Sequence, residues 1–310
     1  ENCGPAPPPP PPRGGRPRTE APALVGGFAA VCANEEIRRR AEWRAQRGDG
    51  GLSAGPATPS LQCAFFVLEK DPKERHFDTF AFNLCDEMQL TQVDPKDIKT
   101  GALSREKFDA IIFPGGSIFE VAAALDEDGA AALSNFVRAG GGFYGSCAGS
   151  FVAASCGFNG AVGQRRLLGC AGSWHPGTGN AGVRLTQAGA EVFGVSAGSE
   201  FELYFANGSA LSPADGLHNA PRGLKALQLE PCTVLAEYQW ISTEKGTVER
   251  GDKGVVDTYA GAAVAGSVGE GRIVAFGPHP EASGVQCAFL IKQALLWACR
   301  RPQKPSQPVH

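Results

Sequence analysis

The residue with the clearest chemical potential is a cysteine held between two glycines. Cys147 stands in Gly145-Ser-Cys-Ala-Gly149, between a run that predicts a strand and a segment that predicts a helix. A nucleophile at such a turn projects beyond the edge of the sheet, and its neighbours must be small because the turn is crowded. A helix N-terminus also favours a thiolate. The pattern predicts a cysteine nucleophile, and the alternative is a buried structural cysteine beside a glycine-rich turn.

A cysteine nucleophile needs a base, and His279 is the best placed of the five histidines. It follows a strand predicted over 272–276, so it leaves the sheet at an edge, and Glu281 lies two residues further on. Pro280 favours an extended backbone at His279, and residues i and i+2 of an extended segment point the same way. The spacing predicts that Glu281 orients His279 and that His279 activates Cys147. A surface turn is the alternative for these three residues taken alone.

Backbone donors for a developing oxyanion are expected at the same edge. Pro114-Gly-Gly116 ends a strand predicted over 108–113. We assign one donor to the N–H of Gly116 and the other to the N–H of Ala148, the residue after the nucleophile. A plain turn is the alternative for the Pro-Gly-Gly segment.

The elements that must position these residues follow from apolar runs and helical spacing. Continuous apolar runs predict buried strands over 61–68, 108–113 and 272–276, and the glycine-rich segment 140–146 predicts a further strand. Helical spacing predicts helices over 74–88, 126–139, from just after Cys147 through 154, and over 285–300. Short strands are further predicted over 183–186, 201–205, 233–238 and 262–265. The alternation predicts an α/β fold with a mainly parallel central sheet and helices on both faces.

Composition divides the chain near residue 60. Residues 1–60 hold 11 of the 23 prolines and predict a disordered Pro/Arg-rich extension. Residues 61–300 are expected to form one α/β domain, and 301–310 a disordered tail. A net charge of −3 indicates no general attraction for nucleic acid or membrane surfaces. We expect a cytoplasmic location, although a chain that starts at Glu1 leaves an organellar targeting segment open.

The ten cysteines include no Cys-x-x-Cys pair and no Cys/His quartet with zinc spacing. Most are therefore interpreted as reduced core residues. The acids Asp126-Glu-Asp128 stand at a predicted helix start, where caps are more common than metal ligands. No metal and no cofactor is expected.

Three motifs together resemble the class I glutamine amidotransferase-like superfamily: Pro114-Gly-Gly116, Gly145-Ser-Cys-Ala-Gly149 and Gly277-Pro-His-Pro-Glu281. More narrowly, the chain is similar to the N-terminal domain of eukaryotic biotin–protein ligases. That similarity also includes Arg166-Leu-Leu168, Pro176-Gly-Thr178 and the segment Phe201-Glu-Leu-Tyr-Phe-Ala-Asn-Gly208. The resemblance spans roughly 61–300. It implies an α/β sheet flanked by helices, with Cys147, His279 and Glu281 as nucleophile, base and orienting group.

The chain departs from these relatives at the expected substrate pocket, to which we assign Gly115, Phe151 and His175. Glutaminases of the superfamily usually carry Gln or Glu where Phe151 stands, so we expect negligible glutaminase activity. A solvent loop is the alternative for the segment around His175. In the related intracellular-protease branch a catalytic histidine follows the cysteine directly, and Ala148 occupies that position here. No adenylate loop of the biotin-ligase type is found, so the chain is not expected to biotinylate a substrate by itself.

Two classes of function follow. The first is a cysteine-dependent hydrolase or amidotransferase-like enzyme that acts on a small-molecule or peptide amide or on a thioester. This expectation includes a partner protein that completes the site. The second is a catalytically silent binding or regulatory module that keeps the fold.

Overall fold

The computed structural model describes residues 61–71, 76, 79–80, 84, 88–156, 168–213, 232–251 and 260–299. The extension predicted over 1–60 and the tail predicted over 301–310 lie outside these residues. So does most of the helix predicted over 74–88. The predicted end of that helix is wrong, because Met88 is the first residue of a strand.

The described residues form one large sheet flanked by helices. The strands are β1 (Leu61–Phe66), β2 (Met88–Val93), β3 (Ala110–Phe113), β4 (Gly142–Ser146), β5 (Ala154–Cys156), β6 (Leu168–Trp174), β7 (Thr178–Leu185), β8 (Glu200–Ala206), β9 (Ser209–Pro213), β10 (Cys232–Thr243), β11 (Gly246–Glu249), β12 (Gly261–Val268) and β13 (Gly271–Phe276). The helices are α1 (Pro95–Lys99), α2 (Ile118–Arg138), α3 (Ala148–Ala153), α4 (Gln187–Phe193) and α5 (Ala288–Cys299). Short 3₁₀ turns cover Pro280–Ala282 and Val285–Cys287. Among the residues described, no helix is long and apolar enough to cross a membrane.

The sheet is mixed, and its two halves differ in strand direction. The main path runs β2-β1-β3-β4-β13-β12-β10-β7-β8. The first five strands are parallel, and the pairs from β13 to β8 are antiparallel. The predicted α/β fold is confirmed, with parallel strands around the site. The antiparallel half continues the same sheet beyond β13.

Both faces of the parallel half are covered, as the continuous apolar runs predict. In β1, Cys63 and Phe65 enter one core, and the alternate residues Ala64 and Phe66 enter the other. Helices α4 and α5 pack in the first core, whereas α2 and α3 pack in the second. The prediction of helices on both faces is therefore confirmed.

Helix α2 is broken at Asp126, where the backbone has φ 48° and ψ −160°. The Asp126 carboxylate accepts hydrogen bonds from the N–H groups of Asp128 (3.0 Å) and Gly129 (3.3 Å). It therefore starts a second helical segment by the capping expected for an aspartate. This confirms the helix predicted over 126–139, which ends at Arg138. The preceding segment 118–125 was not predicted.

Strands β3, β4 and β13 are adjacent and parallel, so their carboxyl ends meet at one edge of the sheet. Phe113 pairs with Gly145, and Phe276 pairs with Ser146. The N–H of Cys147 donates to the carbonyl of Phe276 at 2.9 Å and extends this ladder by one bond. The segments that follow the three strands therefore start side by side.

Candidate active site

Cys147 occupies a strained turn between β4 and α3. Its φ of 49° and ψ of −107° place a non-glycine residue in a rarely populated conformation. The glycines on either side are required sterically. A Cβ on Gly149 would collide with the Phe113 carbonyl, and a Cβ on Gly145 would collide with the Gly149 carbonyl. The turn therefore has the form predicted for a nucleophile elbow.

His279 and Glu281 are buried and hydrogen-bonded to each other. The Nδ1–H of His279 donates to Glu281 Oε1 at 2.9 Å, and the Ser146 hydroxyl donates to the same oxygen at 2.8 Å. The sequence-based reason for this pairing, an extended backbone, is wrong. Residues Pro280–Ala282 form a 3₁₀ turn rather than an extended segment, and that turn brings the carboxylate back to the ring.

The charges around His279 favour its protonated form. Burial lowers the pKa of His279, but the Glu281 carboxylate and the Cys147 side chain outweigh burial and raise the pKa to about 10. The Nε2 atom is buried and has no hydrogen-bond partner among the residues described. The imidazole is therefore held at Nδ1 by the Glu281 carboxylate.

The Cys147 thiol and His279 line one cavity. In this structure the thiol donates to the carbonyl of Ala206, with Sγ and O 3.4 Å apart. Gly115 lies against both catalytic candidates. A Cβ on Gly115 would stand 3.5 Å from Cys147 Cβ and 3.1 Å from His279 Nδ1, and would collide with His279 Cε1.

A cavity of about 480 Å³ opens over these residues. Its described lining includes most of the sequence-predicted site: Gly115, Gly116, Cys147, Ala148, Phe151 and His279. Glu281 lies behind His279, as expected for an orienting group. From the segment around His175, it is Trp174 that lines the cavity. The ring of His175 lies 5.9 Å from the ring of Phe205.

The cavity wall formed by β8 and the turn after it was not assigned a role from the sequence. The N–H of His279 donates to the Tyr204 carbonyl at 2.8 Å, and the two rings lie 5.6 Å apart. Ala206 accepts the thiol hydrogen bond, and Asn207 lines the cavity at φ 49°. The sequence signal that could have identified this wall is the family-like segment 201–208, which contains both the aromatic strand and the Asn-Gly turn.

Buried hydroxyl groups form hydrogen bonds that fix the turn at Cys147. The Ser150 hydroxyl donates to the Cys147 carbonyl at 2.6 Å and lies 2.6 Å from the Ser209 hydroxyl. The Tyr238 hydroxyl donates to the Ser209 carbonyl at 2.8 Å. These bonds join α3 to β9 and β10, so the strained turn is also held by the antiparallel half of the sheet.

Within the described ranges, no group of three or more His, Cys, Asp or Glu residues could hold a metal ion. The arrangement instead suits acyl transfer, since a thiol, an oriented imidazole and turn N–H groups surround one cavity.

Comparison with known proteins agrees with the motifs. The family model described as "Biotin-protein ligase, N terminal" matches residues 72–294. A protein described as a GMP synthase subunit from Thermoplasma acidophilum is 16% identical, with a TM-score of 0.47 over 77% of this chain and 94% of its own. A ThuA-like protein from Bacteroides uniformis is also 16% identical, with a TM-score of 0.47 over 80% of this chain and 95% of its own. No curated protein matches the chain in sequence.

Proposed function

This chain belongs to the family of biotin–protein ligase N-terminal domains, and we propose that it is a cysteine-dependent acyl-transfer enzyme acting on an amide or a thioester. The observation that carries the proposal is the buried hydrogen bond from His279 to Glu281. It leaves Nε2 unpartnered among the described residues, beside a cysteine at a strained turn.

The proposed reaction begins from the pair in which His279 Nε2 already holds the proton of the Cys147 thiol, because the raised pKa of His279 favours its protonated form. The thiolate attacks the substrate carbonyl carbon, and the resulting oxyanion accepts hydrogen bonds from the N–H groups of Gly116 and Ala148. The bond from carbon to the leaving nitrogen or sulfur then breaks, and His279 returns the proton to that atom. A thioester on Cys147 remains.

The second half of the reaction restores the enzyme. Water gives a proton to His279 and attacks the thioester carbonyl, and the C–S bond breaks to release a carboxylic acid, which restores the Cys147 thiolate beside protonated His279. An amine in place of water would give a new amide. Throughout, Glu281 holds the Nδ1–H of His279 and stabilises its positive charge.

Free glutamine is not the proposed substrate. Phe151 is 5% exposed and forms part of the cavity wall where glutaminases carry a polar side chain. A glutamine amide there would lose hydrogen-bond partners, and each buried unpaired polar group costs about 1–3 kcal/mol.

A silent binding module is the second candidate, and one contact favours it. The Cys147 thiol hydrogen-bonds to the Ala206 carbonyl, while His279 Nε2 has no hydrogen-bond partner among the described residues. An active resting state pairs the Cys147 sulfur with His279, so the thiol must first leave the Ala206 carbonyl.

Reaction with iodoacetamide, mapped by mass spectrometry, separates the two candidates. We expect selective labelling of Cys147, slowed at least about tenfold in His279→Ala, since a positioned base contributes 10²–10⁴-fold. The other thiols provide an internal contrast. Burial raises the pKa of Cys63 far above its usual range, raises that of Cys287, and raises that of Cys299 to about 12.

The outcome that supports a silent module is equally specific. Cys147 would then react no faster than Cys287, and His279→Ala would leave its rate unchanged. Thermal unfolding of the variant confirms that any loss of labelling does not come from loss of the fold.

A further inference from the structure

Exposed apolar side chains are concentrated around the Cys147 cavity. Among the described residues, four large hydrophobic side chains are exposed: Leu68, Phe119, Trp174 and Tyr204. Phe119 and Trp174 line the cavity, at 64% and 49% exposure. The Tyr204 ring lies 5.6 Å from the His279 ring, and Leu68 lines an adjoining cavity that shares Gly115 and Gly116. Apolar surface that is gathered in one place marks a binding site rather than random exposure.

The inner wall is also apolar. Phe151, Ile118 and Ala148 line it and are nearly buried. The described lining includes no Asp, Glu, Lys or Arg side chain, and its polar side chains are those of His76, Ser117, Cys147, Asn207 and His279. The ammonium group of a free amino acid would therefore find no carboxylate there, and the positive charge of His279 is already paired with Glu281. Charged groups are costly to desolvate without a partner.

The adjoining cavity is lined by both charged and apolar side chains. Its volume is about 620 Å³, and its described lining includes Glu69, Lys70, Asp71 and Glu120 beside apolar residues such as Leu68. The two cavities share His76, Gly115, Gly116 and Ser117. The space at the thiol therefore adjoins a space whose lining carries charged side chains.

We infer that the Cys147 cavity binds the hydrophobic acyl group of the substrate, so that the substrates are amides or thioesters of medium-length fatty or aromatic acids. This inference rests on the proposed function and names the substrate class for it. The acyl group packs against Phe151, Ile118 and Trp174, with its carbonyl carbon at Cys147 Sγ. The volume, about 480 Å³, is that of a site for a small organic ligand. The leaving amine or thiol departs toward the adjoining cavity.

The chemistry is the acyl transfer already described, and it needs no further reactant. The thiolate displaces the amine or thiol from the acyl carbon, and the leaving atom takes its proton from His279. Water then releases the fatty or aromatic acid and regenerates the thiol.

A series of thioesters with one leaving thiol and increasing acyl length tests this assignment. Acetyl, butyryl, hexanoyl and octanoyl thioesters of N-acetylcysteamine are compared by the rate of thiol release and by the acyl mass added to Cys147. We expect kcat/KM to rise roughly threefold to fourfold for each added methylene until the cavity is filled. Phe151→Gln should flatten this dependence. Equal rates for acetyl and hexanoyl thioesters would overturn the inference while leaving the proposed function intact.

A binding measurement keeps the inference testable if no thioester reacts. Octanamide, which has an apolar tail and a poor leaving group, should change the fluorescence of the wild-type protein at saturation. Trp174→Phe should lose this change. The matched variant Trp297→Phe should keep the change, because Trp297 lies in α5 with its ring against the Arg272 guanidinium and does not line the cavity. If octanamide binds but Cys147 is unreactive, the proposed enzymatic function is refuted while the proposal of an apolar acyl-binding site stands. Binding of an apolar peptide without binding of octanamide would refute the acyl site.

Discussion

The Ser146 hydroxyl lies 2.8 Å from Glu281 Oε1, the carboxylate oxygen that also accepts the Nδ1–H of His279. Ser146 is the residue before Cys147 and stands 135 positions before Glu281. The last residue of β4 therefore holds the carboxylate that is hydrogen-bonded to His279, the proposed base. This bond connects β4 to the turn after β13 without involving the thiol.

Ser146→Ala should lower the stability of the fold and the effectiveness of His279 as a base. It leaves a buried carboxylate oxygen with one donor fewer, and a hydrogen bond to a charged group contributes about 1.5–3 kcal/mol. We expect the free energy of unfolding, measured by denaturant titration, to fall by about that amount. The alkylation rate of Cys147 should fall and its pH profile should shift. The exposed Ser196→Ala should change stability by less than about 0.5 kcal/mol, and a Ser146→Ala protein as stable as the wild type would contradict the assignment.

Gly115→Ala should destabilise the protein through one specific collision. The added Cβ would strike His279 Cε1 and stand 3.1 Å from Nδ1, and overpacking of this kind costs about 1–3 kcal/mol. A double-mutant cycle with His279→Ala identifies the cause, because residues in contact are not additive. We expect the cost of Gly115→Ala to vanish in the His279→Ala background. An unchanged cost would place the strain in the Pro-Gly-Gly backbone instead.

His279 should make stability depend on pH in the alkaline range. Its pKa is raised from 6.5 to about 10 in the folded protein, so the folded state holds a proton that the unfolded state has lost. The stability contributed by this proton is fully present below about pH 6.5, and it is lost as the pH rises through about 10. The difference in free energy of unfolding between the wild type and His279→Gln should shrink over that window. A difference that grows with pH would contradict the sign.

The isolated chain should release almost no ammonia from free glutamine. Loss of two amide hydrogen bonds against Phe151 corresponds to a fit weaker by roughly 30-fold to 10⁴-fold. The measurement is ammonia release with Cys147→Ala as the blank. Turnover near about 1 s⁻¹, which is ordinary for an enzyme, would show that Phe151 does not exclude glutamine.

The convergence of Cys147, His279 and Pro114-Gly-Gly116 was predictable because each follows a segment that predicts a buried strand of the sheet. Segments of this kind identify buried parallel strands, and parallel neighbours end at a common edge. Chain order therefore carried enough information to place three distant segments together. The cap at Asp126 was predictable for a similar reason, since it depends on local spacing alone.

The remaining features depend on contacts that local patterns do not encode. The carbonyl of Ala206 faces the thiol where β8 reaches the site through the bond from the His279 N–H to the Tyr204 carbonyl, a contact between segments far apart in the chain. The return of Glu281 to His279 depends on a 3₁₀ turn, whereas the Pro rule indicated extension. Trp174 lines the cavity because β6 extends to that residue, within a segment for which the sequence indicated a loop.

The boundary between the parallel and antiparallel halves of the sheet passes through the cavity. Cys147, Gly115 and Gly116 follow strands on the parallel side, whereas Trp174, Ala206 and Asn207 belong to strands or turns beyond β13. Much of the outer wall is thus encoded between the segment that carries Cys147 and the segment that carries His279 and Glu281. Substitutions in this intervening stretch should therefore change the shape of the cavity while leaving all three of those residues in place.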